Sequence, residues 1–176
     1  MKAKILIAVL AGIFSFGHLR LDTEKSSLKV TGTSSLHDWE MKVTDFDASG
    51  SVSENLVENL VVTVKSKSLE SGKSIMDDKA YDALQADDYT KIQFSAKKLQ
   101  IDGGKVSGKG SLTIADKSNE LDFNAKILSK EGNKIHLQGS IPLKMTDFDI
   151  TPPTAMFGTL KTGDEVEIHY NIFISY

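Results

Sequence analysis

Cysteine is absent from this chain of 176 residues, and proline is scarce, with three residues of which two adjoin. The absence of cysteine excludes disulfide bonds, thiol catalysis, Cys-ligated metal sites and lipoprotein acylation at a cysteine. A protein of this composition is stabilised by its core alone, which a single domain of this length can supply.

Basic clusters are absent as well, and the formal net charge is −3. An acidic chain without a basic cluster is a poor partner for nucleic acid, because most non-specific affinity comes from neutralising phosphates. We therefore predict no nucleic-acid partner.

The chain also lacks an apolar run long enough to cross a bilayer, which takes about 20 residues. Its long N-terminal apolar run, Ile5–Phe16, follows Lys2 and Lys4 and ends among small residues. This layout predicts a secretory signal peptide at residues 1–17, cleaved before His18, and hence a periplasmic protein. Cleavage would remove two lysines and take the formal charge from −3 to −5. The alternative is an uncleaved anchor or a buried N-terminal helix.

Most of the remaining chain alternates apolar and polar residues with a period of two, which is typical of strands with one buried face. The alternation predicts eight strands after an N-terminal extension at residues 18–26. Two-faced strands in an antiparallel meander bury one face only, and eight of them can close into a barrel. We therefore predict an all-β, eight-stranded antiparallel barrel over residues 27–176.

One segment departs from this pattern and predicts a single helix at about residues 74–86, between strands three and four. Ser74 followed by Asp77 resembles a capping box. Three apolar residues then share one helix face over about three turns: Met76, Ala80 and Leu84. A lone helix with one apolar stripe, set among antiparallel strands, is expected to cover the open end of the barrel.

Two irregularities interrupt the alternation. Near Asp45 the apolar phase slips by one residue, which predicts a β-bulge that bends the second strand. A second slip lies between Ala96 and Leu99 in the fourth strand. The sequence Asp-Gly-Gly at residues 102–104 then predicts a tight hairpin.

Small residues at inward positions raise the question of whether the barrel is hollow. They are Ala48, Gly108, Gly110, Ala125 and Gly139. One interpretation is an apolar tube whose ligand is elongated and equally apolar, because almost no inward position is polar. The other is that strand glycines mark bends or bulges where a barrel turns a corner. The spacing leaves both interpretations open.

The chain resembles the YceI-like family of exported lipid-binding β-barrels over residues 27–175. The motifs that carry the resemblance are GTSSLHDW at 32–39, YTKIQF at 89–94, GKGSLTI at 108–114, KMTDFDI at 144–150 and GDEV at 163–166. One departure is Thr90, where the family often has proline. The resemblance implies a lipocalin-like extended barrel that holds a polyisoprenoid or similar long-chain amphiphile, and it carries over no catalytic residue.

The alternation and the resemblance together predict a ligand cavity with thirteen lining residues. They are Trp39, Met41, Phe46, Val62, Ile92, Phe94, Gly108, Gly110, Leu112, Phe123, Ile127, Leu137 and Phe148. We predict that the protein binds a long-chain isoprenoid or fatty amphiphile and is not an enzyme, with no cofactor and no metal. A transient membrane contact for loading and a homodimer are both compatible with this function.

Two other function classes stay open. The first is an exported enzyme acting on a bound lipid, with His37 near the barrel rim as its acid–base group. The second is a filled barrel used for protein contacts. A hydrolase triad within Ser34–Asp38 is disfavoured, because neighbours in one turn rarely place the imidazole between nucleophile and carboxylate. We expect a hydrogen-bonded corner there instead.

Two further patterns could indicate a metal site. Thr-Asp-Phe-Asp occurs at 44–47 and again at 146–149, and four carboxylates brought together could bind calcium. The simpler interpretation points both phenylalanines inward and leaves the aspartates in solvent. His136 and His169 fall on polar strand faces and should lie outside the barrel, without the third ligand that a metal would need.

Overall fold

Alternating segments of the sequence form strands, as their period of two requires. The computed structural model describes residues 17–176, so the predicted signal peptide lies outside the described residues except for Gly17. The strands are β1 Gly17–His18, β2 Arg20–Leu21, β3 Ser27–Ser34, β4 Trp39–Val43, β5 Phe46–Val52, β6 Leu56–Lys65, β7 Leu69–Glu70, β8 Lys91–Asp102, β9 Lys105–Ile114, β10 Lys117–Glu131, β11 Lys134–Lys144, β12 Thr154–Ala155 and β13 Leu160–Ser175.

The all-β prediction is confirmed, although the number of strands differs from eight. Over residues 17–176 the structure has thirteen strands, of which four span only two residues. One α-helix, α1, spans Ser74–Ala83, and three 3₁₀ turns lie at Ser66–Ser68, Met145–Phe148 and Met156–Gly158. Within that part of the chain, none of the helices has the length and apolar character needed to cross a membrane.

A single antiparallel sheet curls into the barrel. Its strand order is β1-β5-β6-β8-β9-β10-β11-β13-β3-β4-β7, and β2 and β12 both pair with β13. The segment that carries β1 and β2 bridges strands β5 and β13 at one end of the barrel. Gly17 pairs there with Val52 of β5, and Leu21 pairs with Ile174 of β13. Residues predicted as an N-terminal extension thus contribute a strand to the barrel.

The prediction of a β-bulge near Asp45 is wrong, because the chain changes pairing partners there. The β4 strand ends at Val43 and pairs with β3, whereas β5 begins at Phe46 and pairs with β6. Thr44 donates its N–H to Ser68 O, and Lys65 donates its N–H to Asp45 O. The slip of one residue in the apolar pattern therefore marks a strand break, after which β5 joins the opposite end of the strand order.

The second slip does correspond to an irregular register. Between Ser95 and Gln100, β8 advances five residues while β9 advances four, so one extra residue is accommodated. The hairpin between these strands is also confirmed. Gly103 and Gly104 have φ values of 55° and 79°, which is the left-handed backbone that a tight hairpin turn requires.

The helix α1 forms where the sequence places it, but its first turn is not a capping box. Ser74 is the first helical residue, and the N-cap residue Lys73 makes no side-chain cap hydrogen bond. The Asp77 carboxylate instead accepts hydrogen bonds from Ser71 N at 2.7 Å and Ser71 Oγ at 2.6 Å. It therefore ties the helix to the preceding loop rather than to its own N-cap.

The apolar stripe of α1 packs on one end of the barrel. Met76, Ala80 and Leu84 contact a small cluster of buried residues that includes Met41 and Leu69. A larger cluster fills the rest of the barrel towards the end closed by β1 and β2, with Leu99, Val52 and Val106 almost fully buried. The helix thus covers an end that the larger cluster does not fill.

Candidate functional site

A cavity of about 660 Å³ lies between α1 and the half of the barrel nearer to that helix. This half is the upper half of the barrel, and the half nearer to β1 and β2 is the lower half. One wall comes from β3 and β4, and it consists of Leu28, Val30, Trp39, Met41 and Val43. The adjoining wall comes from β11 and β13, through Leu143, Val166 and Ile168. Inward side chains such as Val30, Ile92 and Ile168 are only partly buried, because they face open space instead of packed atoms.

The roof of the cavity is α1, and its mouth lies among loops. Met76, Ala80, Ala83 and Leu84 line the cavity from the helix. The loop segment from Pro153 to Leu160 and the corner at Ser34–His37 complete the boundary. The roof therefore comes from the apolar helix stripe that the sequence predicted as a cover.

A layer of packed side chains closes the cavity from below. On β8 and β9, Ile92 and Ile114 line the cavity, whereas the next inward residues, Phe94 and Leu112, are buried beneath them. Tyr170 takes the same position on β13, two residues beyond the cavity-lining Ile168. The cavity thus occupies only the half of the barrel nearer to α1.

Aromatic rings form the centre of this floor. The ring centroids of Phe94 and Phe123 are 5.6 Å apart, and those of Phe123 and Tyr170 are 5.4 Å apart. Tyr170 Oη donates a hydrogen bond to Asn124 O at 2.7 Å. Burial raises the pKa of the Tyr170 phenol to about 12, so the hydroxyl stays neutral and keeps its role as a donor.

Glycines make room for these rings. A Cβ on Gly110 would lie 2.2 Å from Phe94 Cζ, and one on Gly139 would lie 2.4 Å from Tyr170 Oη. Both distances are far below van der Waals contact, so no larger side chain fits beside the rings as they stand. Gly110 and Gly139 therefore neither hollow the barrel nor simply mark bends, since they accommodate neighbouring aromatic side chains.

Three of the thirteen predicted lining residues lie in the cavity wall: Trp39, Met41 and Ile92. The remaining ten lie outside this cavity, and ligand contact at the predicted residues stays a prediction. The ten are Phe46, Val62, Phe94, Gly108, Gly110, Leu112, Phe123, Ile127, Leu137 and Phe148. Most of their side chains belong to the packed cluster below the floor, because alternation predicts which face a residue takes but not its depth along the barrel axis.

Other lining residues were not selected from the sequence. Leu28, Val30 and Ile168 belong to strands in which apolar and polar residues alternate. The alternation identified their inward positions as clearly as those of the selected residues. The stripe on α1 was recognised as a cover but not as part of a binding site. The loop from Pro153 to Leu160 carries no periodic signal, and only the folded structure brings it to the mouth.

The corner between β3 and β4 is hydrogen-bonded, as expected, and it contains no hydrolase triad. Ser34 Oγ donates to His37 O at 2.7 Å, and Trp39 Nε1 donates to Thr33 O at 2.9 Å. His37 lines the cavity, and its Nδ1 lies 2.7 Å from Asp38 O. A carbonyl oxygen only accepts, so Nδ1 carries the proton and the imidazole bonds to the backbone instead of a serine or a carboxylate.

The two Thr-Asp-Phe-Asp copies do not assemble a common site. Asp45 pairs with Lys65, and Asp149 Oδ2 pairs with Lys117 Nζ at 2.6 Å. Phe148 is buried and Phe46 packs beside the small cluster under α1. Across residues 17–176, no group of three or more His, Asp or Glu side chains has an arrangement that could hold a metal ion.

The two histidines of the outer face have protein partners. His136 Nε2 lies 2.7 Å from Asn171 Oδ1, and its ring stacks on Phe173 with centroids 3.8 Å apart. His169 Nε2 lies 2.9 Å from Thr31 Oγ1. Each histidine is therefore part of the polar outer surface of the sheet.

The cavity wall has a one-sided charge. Three lysines line it, Lys73, Lys79 and Lys161, whereas none of the lining residues is Asp or Glu. All three are exposed, and none of them belongs to an ion pair within residues 17–176. In a chain of net charge −3, every lining side chain with a fixed charge is thus a lysine.

Solved structures with the same architecture are known. BcnA from Burkholderia cenocepacia is 18% identical, with a TM-score of 0.70 over 88% of this chain and 99% of that one. A Saccharophagus degradans domain described as polyisoprenoid-binding is 13% identical, with a TM-score of 0.65 over 89% and 97%. The Campylobacter jejuni YCEI protein is 22% identical, with a TM-score of 0.61 over 77% and 84%. At these identities the likeness shows a shared fold.

No curated protein matches the sequence. The family model described as the YceI-like domain, in contrast, matches residues 19–174, which is nearly the whole of the part that forms the barrel. The chain therefore belongs to the YceI-like family.

Proposed function

We propose that this protein binds a long-chain amphiphile, polyisoprenoid-type or fatty, with its tail in the cavity under α1. It would act in the periplasm as a carrier or store of that ligand. The observation that carries the proposal is the cavity of about 660 Å³ inside the barrel, whose walls and roof are almost entirely apolar. This volume lies within the range of about 300–1,000 Å³ that is typical of small-molecule sites.

Burial of the ligand tail supplies the binding free energy. Each methylene group transferred from water contributes about 0.8 kcal/mol, opposed by the loss of freedom of ligand and mouth loops. Because the upper walls offer few polar partners, a polar group deep in the cavity would lose its hydration without compensation. The site therefore favours a ligand whose polar end stays at the mouth, beside Lys73, Lys79 and Lys161.

The comparisons support the proposal. The chain is a YceI-like protein, and a structural neighbour from Saccharophagus degradans is described as polyisoprenoid-binding.

The packed floor limits how far a tail can enter. Phe94, Phe123 and Tyr170 block the lower half of the barrel, so a tail longer than the cavity must fold back or leave through the mouth.

Local geometry favours binding over lipid hydrolysis. His37 is on the cavity wall, but its imidazole bonds to a backbone carbonyl, and no carboxylate lines the cavity to orient it. The alternative of a filled barrel used for protein contacts is less well supported, because the upper half of the barrel is open. Sequestration needs neither a nucleophile nor a base, only apolar space of the right size.

Trp39 provides a direct test, because it is the single tryptophan of the chain and lies in the cavity wall. We expect its fluorescence to change on saturable titration with a single-tailed probe such as farnesol or oleic acid. Mass spectrometry of organic extracts from purified protein should show a bound long-chain amphiphile. Extracts free of lipid, together with a Trp39 signal that neither probe alters, would contradict the proposal.

A further inference from the structure

Large apolar side chains that remain exposed are concentrated around the cavity mouth. In residues 17–176 there are five of them, and Leu36 and Ile75, exposed by 69% and 77%, both line the cavity. Met156 and Phe157, exposed by 68% and 110%, lie between the cavity-lining residues Ala155 and Leu160. The fifth is Leu128 on β10, exposed by 44%, and it does not line the cavity.

The backbone holds two of these side chains outward at an energetic cost. Met156 and Phe157 have φ values of 50° and 56°, followed by Gly158 at 85°. Residues with a Cβ avoid the left-handed region, and two such residues in succession are rarely retained without a reason. The Phe157 ring is fully exposed, so its packing within residues 17–176 does not offset this cost. The energetic cost of this turn is consistent with side chains that are buried by an external partner.

Charge around the mouth points to the nature of that partner. Lys73, Lys79 and Lys161 line the same cavity and form no ion pair with a carboxylate of residues 17–176. The acidic residues of α1 do not line the cavity, and Asp77 is bonded to Ser71. Apolar side chains ringed by lysine are the combination that binds the surface of an anionic bilayer.

We propose that Leu36, Ile75, Met156 and Phe157, the mouth rim, dock the protein on an anionic lipid bilayer. The apolar side chains enter the interfacial region while the three lysines contact lipid head groups, so that the cavity opens directly onto the membrane. A second copy of this chain is a poorer fit, because two such faces would bring like-charged lysines together. The docking explains how a ligand passes between membrane and cavity, and in this respect it rests on the proposed function.

The apolar part of the rim is tested by flotation with lipid vesicles. We expect the protein to bind vesicles made of equal parts phosphatidylglycerol and phosphatidylcholine. Its binding to vesicles of phosphatidylcholine alone should be much weaker. Met156→Asn with Phe157→Asn should lower the partition coefficient by at least about tenfold. Asparagine tolerates the left-handed backbone, so the loop should keep its fold. Leu128→Asn, which changes the exposed leucine away from the mouth, is the matched control and should bind normally.

The lysines are tested in the same assay. Lys73, Lys79 and Lys161 changed together to Gln should weaken binding to the anionic vesicles, by roughly fivefold for each charge removed. The control changes Lys97, Lys98 and Lys126 to Gln, since these lysines are exposed, lie outside the cavity and form no ion pair among the described residues. Circular dichroism melting confirms that each variant is folded.

Several results would overturn the proposal. Wild-type protein that ignores both kinds of vesicle is one, and rim variants that bind as well as wild type are another. Equal losses in the rim and control variants would show non-specific adsorption instead of docking. Vesicle binding is measured independently of the extracted ligand. Docking without any cavity ligand would therefore contradict the proposed function and leave the docking surface intact.

Discussion

Phe94 occupies the space beside Gly110 on the neighbouring strand. A Cβ on Gly110 would lie 2.2 Å from Phe94 Cζ, 2.5 Å from Cε2 and 2.9 Å from Ser95 O. The glycine therefore lets an aromatic ring lie flat against the inner surface of β9. Because this ring belongs to the floor of the cavity, Gly110 determines where the hollow half of the barrel ends.

We predict that Gly110→Leu destabilises the protein, because it overfills a packed layer and does not enter an open lumen. Overpacking of this kind costs about 1–3 kcal/mol, measurable as a loss in the free energy of unfolding in urea. Ligand content per folded molecule should change little, since the cavity lies above Phe94.

A double-mutant cycle provides the control for this prediction. In a Phe94→Ala background the ring is absent, so Gly110→Leu should lower the free energy of unfolding much less than it does in wild type. A mutant that folds with undiminished stability but has lost its ligand would instead mean that residue 110 faces the binding cavity.

Ala80→Phe should reduce ligand binding, because Ala80 lines the cavity from α1 and a phenyl ring would take up part of its volume. Asp82→Phe is the matched control, since it adds the same side chain to the same helix at an exposed position outside the cavity. Titrating each variant with oleic acid and following Trp39 fluorescence compares the two. We expect at least about tenfold weaker binding for Ala80→Phe alone. Equal affinities in both variants would contradict the location of the site.

His37→Ala should leave ligand content nearly unchanged, because binding rests on apolar burial and the His37 ring is bonded to its own neighbour's carbonyl. Mass spectrometry of extracts from the variant and wild type measures this directly. The enzyme hypothesis makes the opposite prediction, that turnover of a bound lipid ester occurs in wild type and is lost on this change. Detection of such turnover would favour the enzyme.

Stability should fall as pH rises from about 10 towards 12, in part through Tyr170. Burial raises the pKa of its phenol from 10.0 to about 12, so the folded state holds this proton more tightly than the unfolded state. The contribution of this pKa difference to the free energy of unfolding is therefore fully present below pH 10 and is lost as pH approaches 12. Urea unfolding of wild type and Tyr170→Phe across this range measures the effect.

The variant should begin about 1 kcal/mol less stable at neutral pH, because it lacks the hydrogen bond to Asn124 O. Its stability should then decline less steeply with pH than that of wild type. Parallel declines in the two proteins would show that Tyr170 does not titrate in this window.

Export is tested by the intact mass of protein recovered from the periplasm. The lysines at positions 2 and 4 followed by Ile5–Phe16 predict removal of residues 1–17. We expect a species that begins near His18. A periplasmic species that retains Met1–Leu10, or protein confined to the cytoplasm, would contradict this prediction.

Strand patterning was readable from the sequence because it depends on local geometry. The alternation in β9, from Val106 to Ile114, and the Gly103-Gly104 turn before it need no knowledge of distant residues. The stripe on α1 was readable for the same reason, whereas the YceI-like family was predicted from the resemblance of several short motifs. Which strands pair with each other was harder to predict from the sequence. The slip at Asp45 had two physical outcomes, a bulge or a strand break, which only the positions of β3 and β6 distinguish.

An all-β barrel with one helical cover and an apolar interior could be predicted from the residue pattern alone, because side-chain period dictates which face of each strand is buried. Where that interior is empty follows only from the way the strands pack in the folded barrel. Phe94, Phe123 and Tyr170 come from three different strands, and their rings meet only after the barrel closes. Likewise, Phe157 and Lys79 lie far apart in the chain, and only the closed barrel places both at the cavity mouth. Depth along the barrel axis is a property of strand register and closure, which no local pattern encodes.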